Sequence, residues 1–353
     1  MDNITKLVDT FKEQGLLLPI WYEDGAIKVL DQIKLPFVEE VYTFTDVRQV
    51  ADSIRTMVLR GSGAIGCAGA YGMLLAAIQY RGGKQDIFEA AGLLKSTRPT
   101  AVNLMKTVDE VVQAVKDAPE DGIADAVELA VCNILSRYLA YEHALGEYGA
   151  DLIQDGDNIL THCHSGALAG SGYGGRALSV IRKAHEQGKK IHVYSSETRP
   201  YLQGARITVY ELQKFGIAHT LITDGMSGYL MQLGKIQKAV VGSDRVAANG
   251  DLLNKVGTYM HAVAARENGV PFYTATSSHT IDLSLARGLD IEVEYRGEQE
   301  VLSIAGHRIA PEGIRALYPL FDVTPCRLIS GIITERGIVR APYTENIKAL
   351  FSK

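Results

Sequence analysis

The stretch THCHSG, residues 161–166, sets a thiol, Cys163, between two imidazoles, His162 and His164, directly after an apolar run. Those residue types could serve as an acid–base or nucleophilic thiolate, or as metal ligands. A reactive thiolate needs a shell that favours its charge. A zinc site needs three or four ligands, so two histidines alone are a weak metal signal. The run before them reads as a strand, and strand neighbours point to opposite faces. Alternation therefore predicts that His162 and His164 share one face and Cys163 faces the other, which is not a ready-made Cys–His pair. A lone cysteine is most often an inert buried side chain. Here a loop of small residues, SGALAGSGYGG, follows it. Such a loop lets backbone N–H groups approach a ligand, and N–H groups at the next helix start favour anions.

Other segments carry reactive or charged groups. VGSDRVAANGDLLNK holds Asp244, with Arg245 and Lys255 nearby. Asp244 could exchange protons if burial raised its pKa, or could cap a turn. The NGD at 249–251 reads as a turn. SSETRPYLQGAR holds Glu197, Arg199, Gln203 and Arg206. Glu197 and Arg199 could form a structural ion pair, and Gln203 could meet a ligand hydroxyl or cap a helix. LRGSGAIGCAGAYG is a glycine-rich turn entering a small-residue helix. Arg60, with N–H groups from Gly61 onward, makes a phosphate cradle. The loop is neither GxxxxGK[ST] nor a GxGxxG following a strand. TRPTAVNLMKTVDE adds Arg98, with Pro99 at a helix start, to hold a second anionic oxygen or to cap a neighbour. This inventory suits a phosphorylated polyol-like substrate and proton transfer without metal, nucleotide or other cofactor.

The elements that must position these groups differ between the two halves. Residues 1–150 read as a mainly helical domain with a small sheet: 46–59 and 123–153 carry apolar residues at helical spacing, and GAIKVLD and FVEEVYTF alternate like strands. Residues 151–353 alternate strand and helix with short Gly-marked connections, the pattern of a parallel, doubly wound α/β sheet. In such sheets ligands bind beyond the carboxyl ends of the strands. Five polar clusters fall there: Thr161–Ser165, Ser195–Arg199, Thr223–Ser227, Ser243–Arg245 and Thr274–His279. Five in succession predict one shared pocket.

Composition bounds the rest. The 353 residues are 46% hydrophobic and 22% charged, ordinary for a globular protein, and suggest two domains. A net charge of −5 leaves no electrostatic footprint for nucleic acid. There is no run of eighteen apolar residues and no signal-peptide layout, so no membrane partner is expected. Cys67, Cys132, Cys163 and Cys326 are widely spaced with no CxxC, which reads as free thiols of a cytoplasmic protein.

The blocks RGSGAIG, RPTAVNL, THCHSGALAGSGYGGRALSVI, ETRPYLQGAR, LITDGMSGYLM, VGSDRVAANGD, NKVGTY, PFYTA and FDVTPCRLISGIITERG stand in an order that resembles the 5-methylthioribose-1-phosphate isomerases. The resemblance covers nearly the whole chain. It extends in fold to ribose-1,5-bisphosphate isomerases and to regulatory subunits of the initiation factor that exchanges guanine nucleotide. It implies an aldose–ketose isomerase of a ribose 1-phosphate, usually a homodimer, with a Rossmann-like C-terminal half. By position, the catalytic pair falls on Cys163 and Asp244. The substrate-binding set falls on Arg60, Gly61, Ser62, Arg98, Gln203, Asn254 and Lys255.

Three blocks depart from the family pattern. RGAPAIG is here RGSGAIG, THCN is THCH, and GADR is GSDR. Each keeps the reactive residue and changes its neighbours, which bears on the group at the sugar's 5-position. A branch acting on 5-deoxyribose 1-phosphate stands beside the methylthio substrate, and His164 is the residue to test for that choice. Two other readings remain: a non-catalytic subunit binding sugar phosphates or nucleotides, and a metal enzyme using His162, His164 and Asp244. Retention of both Cys163 and Asp244 argues against the first.

Overall fold

The computed structural model describes residues 1–79, 83–99 and 101–352. Thr100 of the RPTAVNL block and Lys353 at the end of the expected second domain lie outside them. The chain is mixed α/β, with a mainly helical N-terminal region and a largely parallel sheet after it. Two compact units divide it: Met1–His143 with Ser165–Gly175, and Ala144–His164 with Arg176–Lys353.

The first unit opens with helix α1 (Asp2–Glu13) and an antiparallel sheet of β1 (Ile20–Glu23), β2 (Ala26–Leu30) and β3 (Val41–Phe44). The expected strand pair is β2 and the second half of FVEEVYTF; IWYE adds β1. Helices α2 (Val47–Arg55), α3 (Ser62–Gln79), α4 (Lys84–Thr97), α5 (Val102–Asp117) and α6 (Ile123–Ala150) follow. The last runs into the second unit. A capping box starts α2: the Asp46 carboxylate accepts from Arg48 N at 2.8 Å, and Gln49 Oε1 accepts from Asp46 N at 3.1 Å. Helix α3 is long and apolar enough to cross a membrane by composition alone. It is instead the core helix of this unit, buried without interruption from Ala64 to Ala76. Its small residues let neighbours approach. A Cβ on Gly69 would stand 2.9 Å from Leu104 of α5, and one on Gly72 2.9 Å from Leu94 of α4.

The second unit alternates as its sequence does: β4 (Asn158–Thr161), α7 (Ala177–Glu186), β5 (His192–Ser196), α8 (Val209–Lys214), β6 (His219–Ile222), α9 (Met226–Gln232), β7 (Lys238–Val241), β8 (Arg245–Ala247), β9 (Leu252–Lys255), α10 (Thr258–Glu267), β10 (Phe272–Ala275), β11 (Phe321–Thr324), β12 (Gly331–Thr334), β13 (Gly337–Val339) and α11 (Tyr343–Phe351). A seven-stranded sheet runs β13-β12-β10-β7-β4-β5-β6. The pairings from β12 to β6 are parallel, and β13 closes the edge antiparallel. Strands β4, β7 and β10 are near-continuous apolar runs because both faces of such a sheet are covered. The chain moves outward from β4 to β6, then returns to the other side of β4 as β7. In open sheets such a reversal is where ligands bind, here at the carboxyl ends of β4 and β7.

Helix α6 meets α7 at Gly149, where an added Cβ would lie 2.3 and 2.8 Å from the two γ-carbons of Val180. Rotating Val180 cannot clear both contacts. Gly149→Ala is therefore expected to cost about 1–2 kcal/mol net in urea unfolding, the overpacking exceeding the helix-propensity gain. Equal or greater stability would mean that α7 shifts without penalty.

One expectation changes. The rhythm of NKVGTYMHAVAARENG predicts one helix over the whole segment, but Asn254 and Lys255 end strand β9, and α10 begins at Thr258. Strand β11 pairs across them, Asp322 against Asn254 and Phe321 against Lys255. Gly257 turns the chain at φ +105°, and the Asp322 carboxylate accepts from Gly257 N at 2.7 Å and Tyr259 N at 3.1 Å. Burial raises the Asp322 pKa to about 6 despite those donors. A partner nearly seventy residues away decided strand over helix, so no local pattern could show it.

Candidate functional site

The five polar clusters end β4, β5, β6, β7 and β10, which run parallel in one sheet. They therefore share the carboxyl edge, as the sequence rhythm predicted.

Cys163 lies two residues past β4, at φ +66°. A non-glycine residue in the left-handed region costs about 1 kcal/mol or more and is held only by its surroundings. Three side chains hold this one. Thr198 Oγ1 accepts from Cys163 N at 2.9 Å, Thr208 Oγ1 donates to Cys163 O at 2.9 Å, and Gln203 Nε2 donates to the sulfur at 3.1 Å. Gln203 stands just before one turn of π-helix, Gly204–Thr208. That N–H fixes the direction in which the sulfur points. Among the described residues, the buried Gln203 Oε1 meets no hydrogen-bond donor, which makes it an acceptor for a ligand hydroxyl.

Because β4 stops at Thr161, strand alternation does not govern the triplet, and the two histidines do not share a face. His164 is buried with its Nε2 2.7 Å from Glu211 Oε1, both side chains fully enclosed. His162 turns to other partners: Ser196 Oγ at 2.6 Å and His261 Nε2 at 3.1 Å from its Nδ1, and Val256 O at 3.0 Å from its Nε2. Burial pushes the His162 pKa down to about 4, and burial with the neighbouring His162 pushes His261 to about 3. The triad His162, His164 and Asp244 is not assembled; the grouping around His162 is Asp224 and His261.

Asp244 follows β7 and is exposed, so the burial that would suit it to proton transfer is not supplied by the protein alone. Its N–H donates to Leu253 O at 2.9 Å, and Arg176 donates to the preceding Ser243 O at 2.6 Å. Asn254 is buried, with Nδ2 donating to Thr258 Oγ1 at 3.0 Å. Lys255 is buried with its ammonium 5.3 Å from the Tyr318 ring and 5.2 Å from the Phe321 ring. The Glu197–Arg199 ion pair that the sequence allows does not form: the Arg199 guanidinium donates to the carbonyls of Val301 and Ser303. Arg245 meets Asp282 at 3.3 Å. The NGD turn forms as expected, with Asn249 Oδ1 accepting from Asp251 N at 3.0 Å.

The first unit carries the other expected group. Gly61 has φ +101°, and a Cβ there would come within 2.4 Å of Ala169. Arg60 and Gly61 lead into α3, whose first N–H groups are those a helix leaves without internal partners. Ser62 Oγ accepts from Asn103 Nδ2 at 2.9 Å. Arg98 follows the last turn of α4. Pro99 does not start a helix, since α5 begins at Val102.

Thr198, Thr208, Asp224, Glu211 and His261 were not singled out from sequence. Thr198 and Asp224 lay inside polar strand-end clusters. Thr208, Glu211 and His261 sit in helical segments, where nothing local separates a site residue from a core one.

The model of the initiation factor 2 subunit family matches residues 58–341. A methylthioribose-1-phosphate isomerase of Thermosipho africanus is 47% identical over 339 residues, covering 94% of this chain and 97% of that protein. The crystal structure of 5-methylthioribose 1-phosphate isomerase from Pyrococcus horikoshii superposes with a TM-score of 0.91 at 38% identity, covering 95% of this chain and 96% of that one. That of the translation initiation factor eIF-2B delta subunit from A. fulgidus gives 0.89 at 37% identity, covering 96% and 100%.

Proposed function

The chain belongs to the methylthioribose-1-phosphate isomerases of the initiation factor 2 subunit family, and on that premise we propose that it converts 5-methylthioribose 1-phosphate to 5-methylthioribulose 1-phosphate, the aldose–ketose isomerisation of methionine salvage. The observation that carries the chemistry is Cys163, held in a left-handed turn with Gln203 Nε2 on its sulfur. A subunit that only bound a ligand would have no use for that strained thiol. The strand order β6-β5-β4-β7-β10-β12 supports reading the second unit as Rossmann-like.

The phosphate on C1 blocks opening to a free aldehyde. A proton on the ring oxygen lets the C1–O bond break, and Asp244 is its donor. The C2 hydrogen then moves to C1, and the C2 hydroxyl proton leaves as its oxygen becomes the ketone, a proton returning to Asp244 from it or from solvent. No atom is gained or lost. Cys163 either relays the hydrogen as a proton or stabilises its passage as hydride. Gln203 orients the thiol and offers Oε1 to a sugar hydroxyl. By the family resemblance, the substrate-binding positions fall on Arg60, Gly61, Ser62, Arg98, Asn254 and Lys255.

The test is NMR turnover of 5-methylthioribose 1-phosphate, 5-deoxyribose 1-phosphate and ribose 1-phosphate in D₂O. The methylthio sugar is expected to turn over fastest. Preference for the 5-deoxy sugar would move the protein to that branch, and equally poor turnover of all three would sink the substrate class. Solvent deuterium at C1 marks a proton relay, and its absence a hydride shift. Gln203→Leu is expected to lower kcat/KM by about 10–100-fold, the cost of a lost buried hydrogen bond and an unpaired sugar hydroxyl. Unchanged kinetics would remove Gln203 from the site.

A further inference from the structure

Beside Cys163, and outside the isomerase machinery described above, three side chains converge from separate elements. His162 follows β4, Asp224 follows β6, and His261 lies in α10. Their ligand atoms all lie within 4.8 Å of one another. His162 and His261 are wholly buried, and Asp224 is about four-fifths buried.

The hydrogen bonds leave the inward-facing atoms as lone pairs. Val256 O can only accept, so the His162 proton is on Nε2 and its Nδ1 is bare. On His261, Nδ1 is 2.7 Å from Ser227 Oγ, and that hydroxyl reaches the Asp224 carbonyl at 3.3 Å. If Ser227 donates to the carbonyl, its oxygen accepts from His261 Nδ1–H, and His261 Nε2 is bare as well. Two lone pairs then face each other across 3.1 Å. Either a proton on His261 Nε2 fills that gap, with Ser227 donating to Nδ1, or a cation does.

We propose that His162 Nδ1, His261 Nε2 and an Asp224 carboxylate oxygen form a binding site for a divalent transition-metal ion of the zinc type. Bonds of about 2.0–2.1 Å in tetrahedral geometry set ligand atoms roughly 3.3 Å apart. The two nitrogens stand 3.1 Å apart and His162 Nδ1 lies 3.9 Å from Asp224 Oδ1, with the remaining pair inside 4.8 Å, so the carboxylate moves inward to complete the set. The outer nitrogens of both rings are already fixed, by a carbonyl and by a hydroxyl, as metal-ligating histidines usually are. The carboxylate is fixed too, its two oxygens accepting from Thr198 N and Arg199 N at 2.8 Å each. The fourth position goes to water or to the Ser196 hydroxyl, which is 2.6 Å from His162 Nδ1 and can turn instead to Thr198 Oγ1 at 3.4 Å. Two histidines were too few for a metal in the sequence; the fold supplies Asp224 and replaces His164 by His261. The ion would tie the ends of β4 and β6 to α10, stiffening the shell of Cys163 without touching substrate.

Untagged, chelator-stripped protein titrated with Co(II) tests this. One equivalent is expected to give the visible d–d bands of a tetrahedral site and no sulfur-to-cobalt charge-transfer band, and Zn(II) is expected to displace it and raise the Tm. His261→Leu and Asp224→Asn, each checked for folding by circular dichroism, should weaken Co(II) binding by about 100-fold. Should one variant fail to fold, the other reads the site. A wild-type protein with no tetrahedral Co(II) spectrum holds only a hydrogen-bonded ring pair, and the proposal falls. It falls equally if the folded variants keep the wild-type spectrum and affinity, or if the spectrum shows thiolate ligation.

Discussion

Cys163→Ser and Asp244→Asn are each expected to lower turnover of the sugar phosphate by about 1,000-fold while leaving the fold intact, the scale of a lost acid–base group. Serine keeps the hydrogen bonds of Cys163 to Thr198 and Thr208, which run through the backbone. It removes the one atom at that position that is readily deprotonated. Asparagine keeps the shape of Asp244 and its backbone bond to Leu253, but carries no proton to the ring oxygen. Both losses should appear in kcat rather than KM, because both groups act in the transition state. The double variant should lose far less than the product of the two, since each already abolishes the same reaction. Near-wild-type turnover in either folded single variant would remove that residue from the mechanism.

The second large effect concerns stability. Glu142, near the end of α6, is buried in the first unit and receives the loop that follows Cys163 in the chain. Its carboxylate accepts from Ser171 N and Oγ, from Tyr173 N at 2.9 Å, and from Gly174 N and Gly175 N at 3.0 Å each. Burial nonetheless raises its pKa, since taking a charge out of water outweighs even these donors. Glu142→Ala leaves four backbone N–H groups in a dry site with no acceptor. A loss of about 3–5 kcal/mol is expected in urea unfolding. The glycines leave no room for a larger rearrangement: a Cβ at Gly170 would sit 2.1 Å from Glu142 Oε1, and one at Gly175 2.2 Å from Gly166 O. A change under about 1 kcal/mol would mean that water replaces the carboxylate, contrary to this account.

The sequence by itself determined the layout of the second unit and the strand ends that carry its chemistry. Strand–helix rhythm is local, and a parallel sheet puts every strand's carboxyl end on one edge, so five polar clusters could be placed together before any contact was known. Cys163 and Asp244 could be placed on that edge for that reason; their pairing, and Gln203 as a substrate contact, rested on the family resemblance instead. What only the tertiary structure decided is what each group faces. Strand alternation failed two residues past β4, where Thr198, Gln203 and Thr208 impose a left-handed turn on Cys163. Asn254 and Lys255 became strand residues because β11 pairs with them. His164 went to Glu211, and His162 to His261, ninety-nine positions away. Periodicity reports which face of an element is apolar; a partner distant in the chain leaves no trace in it.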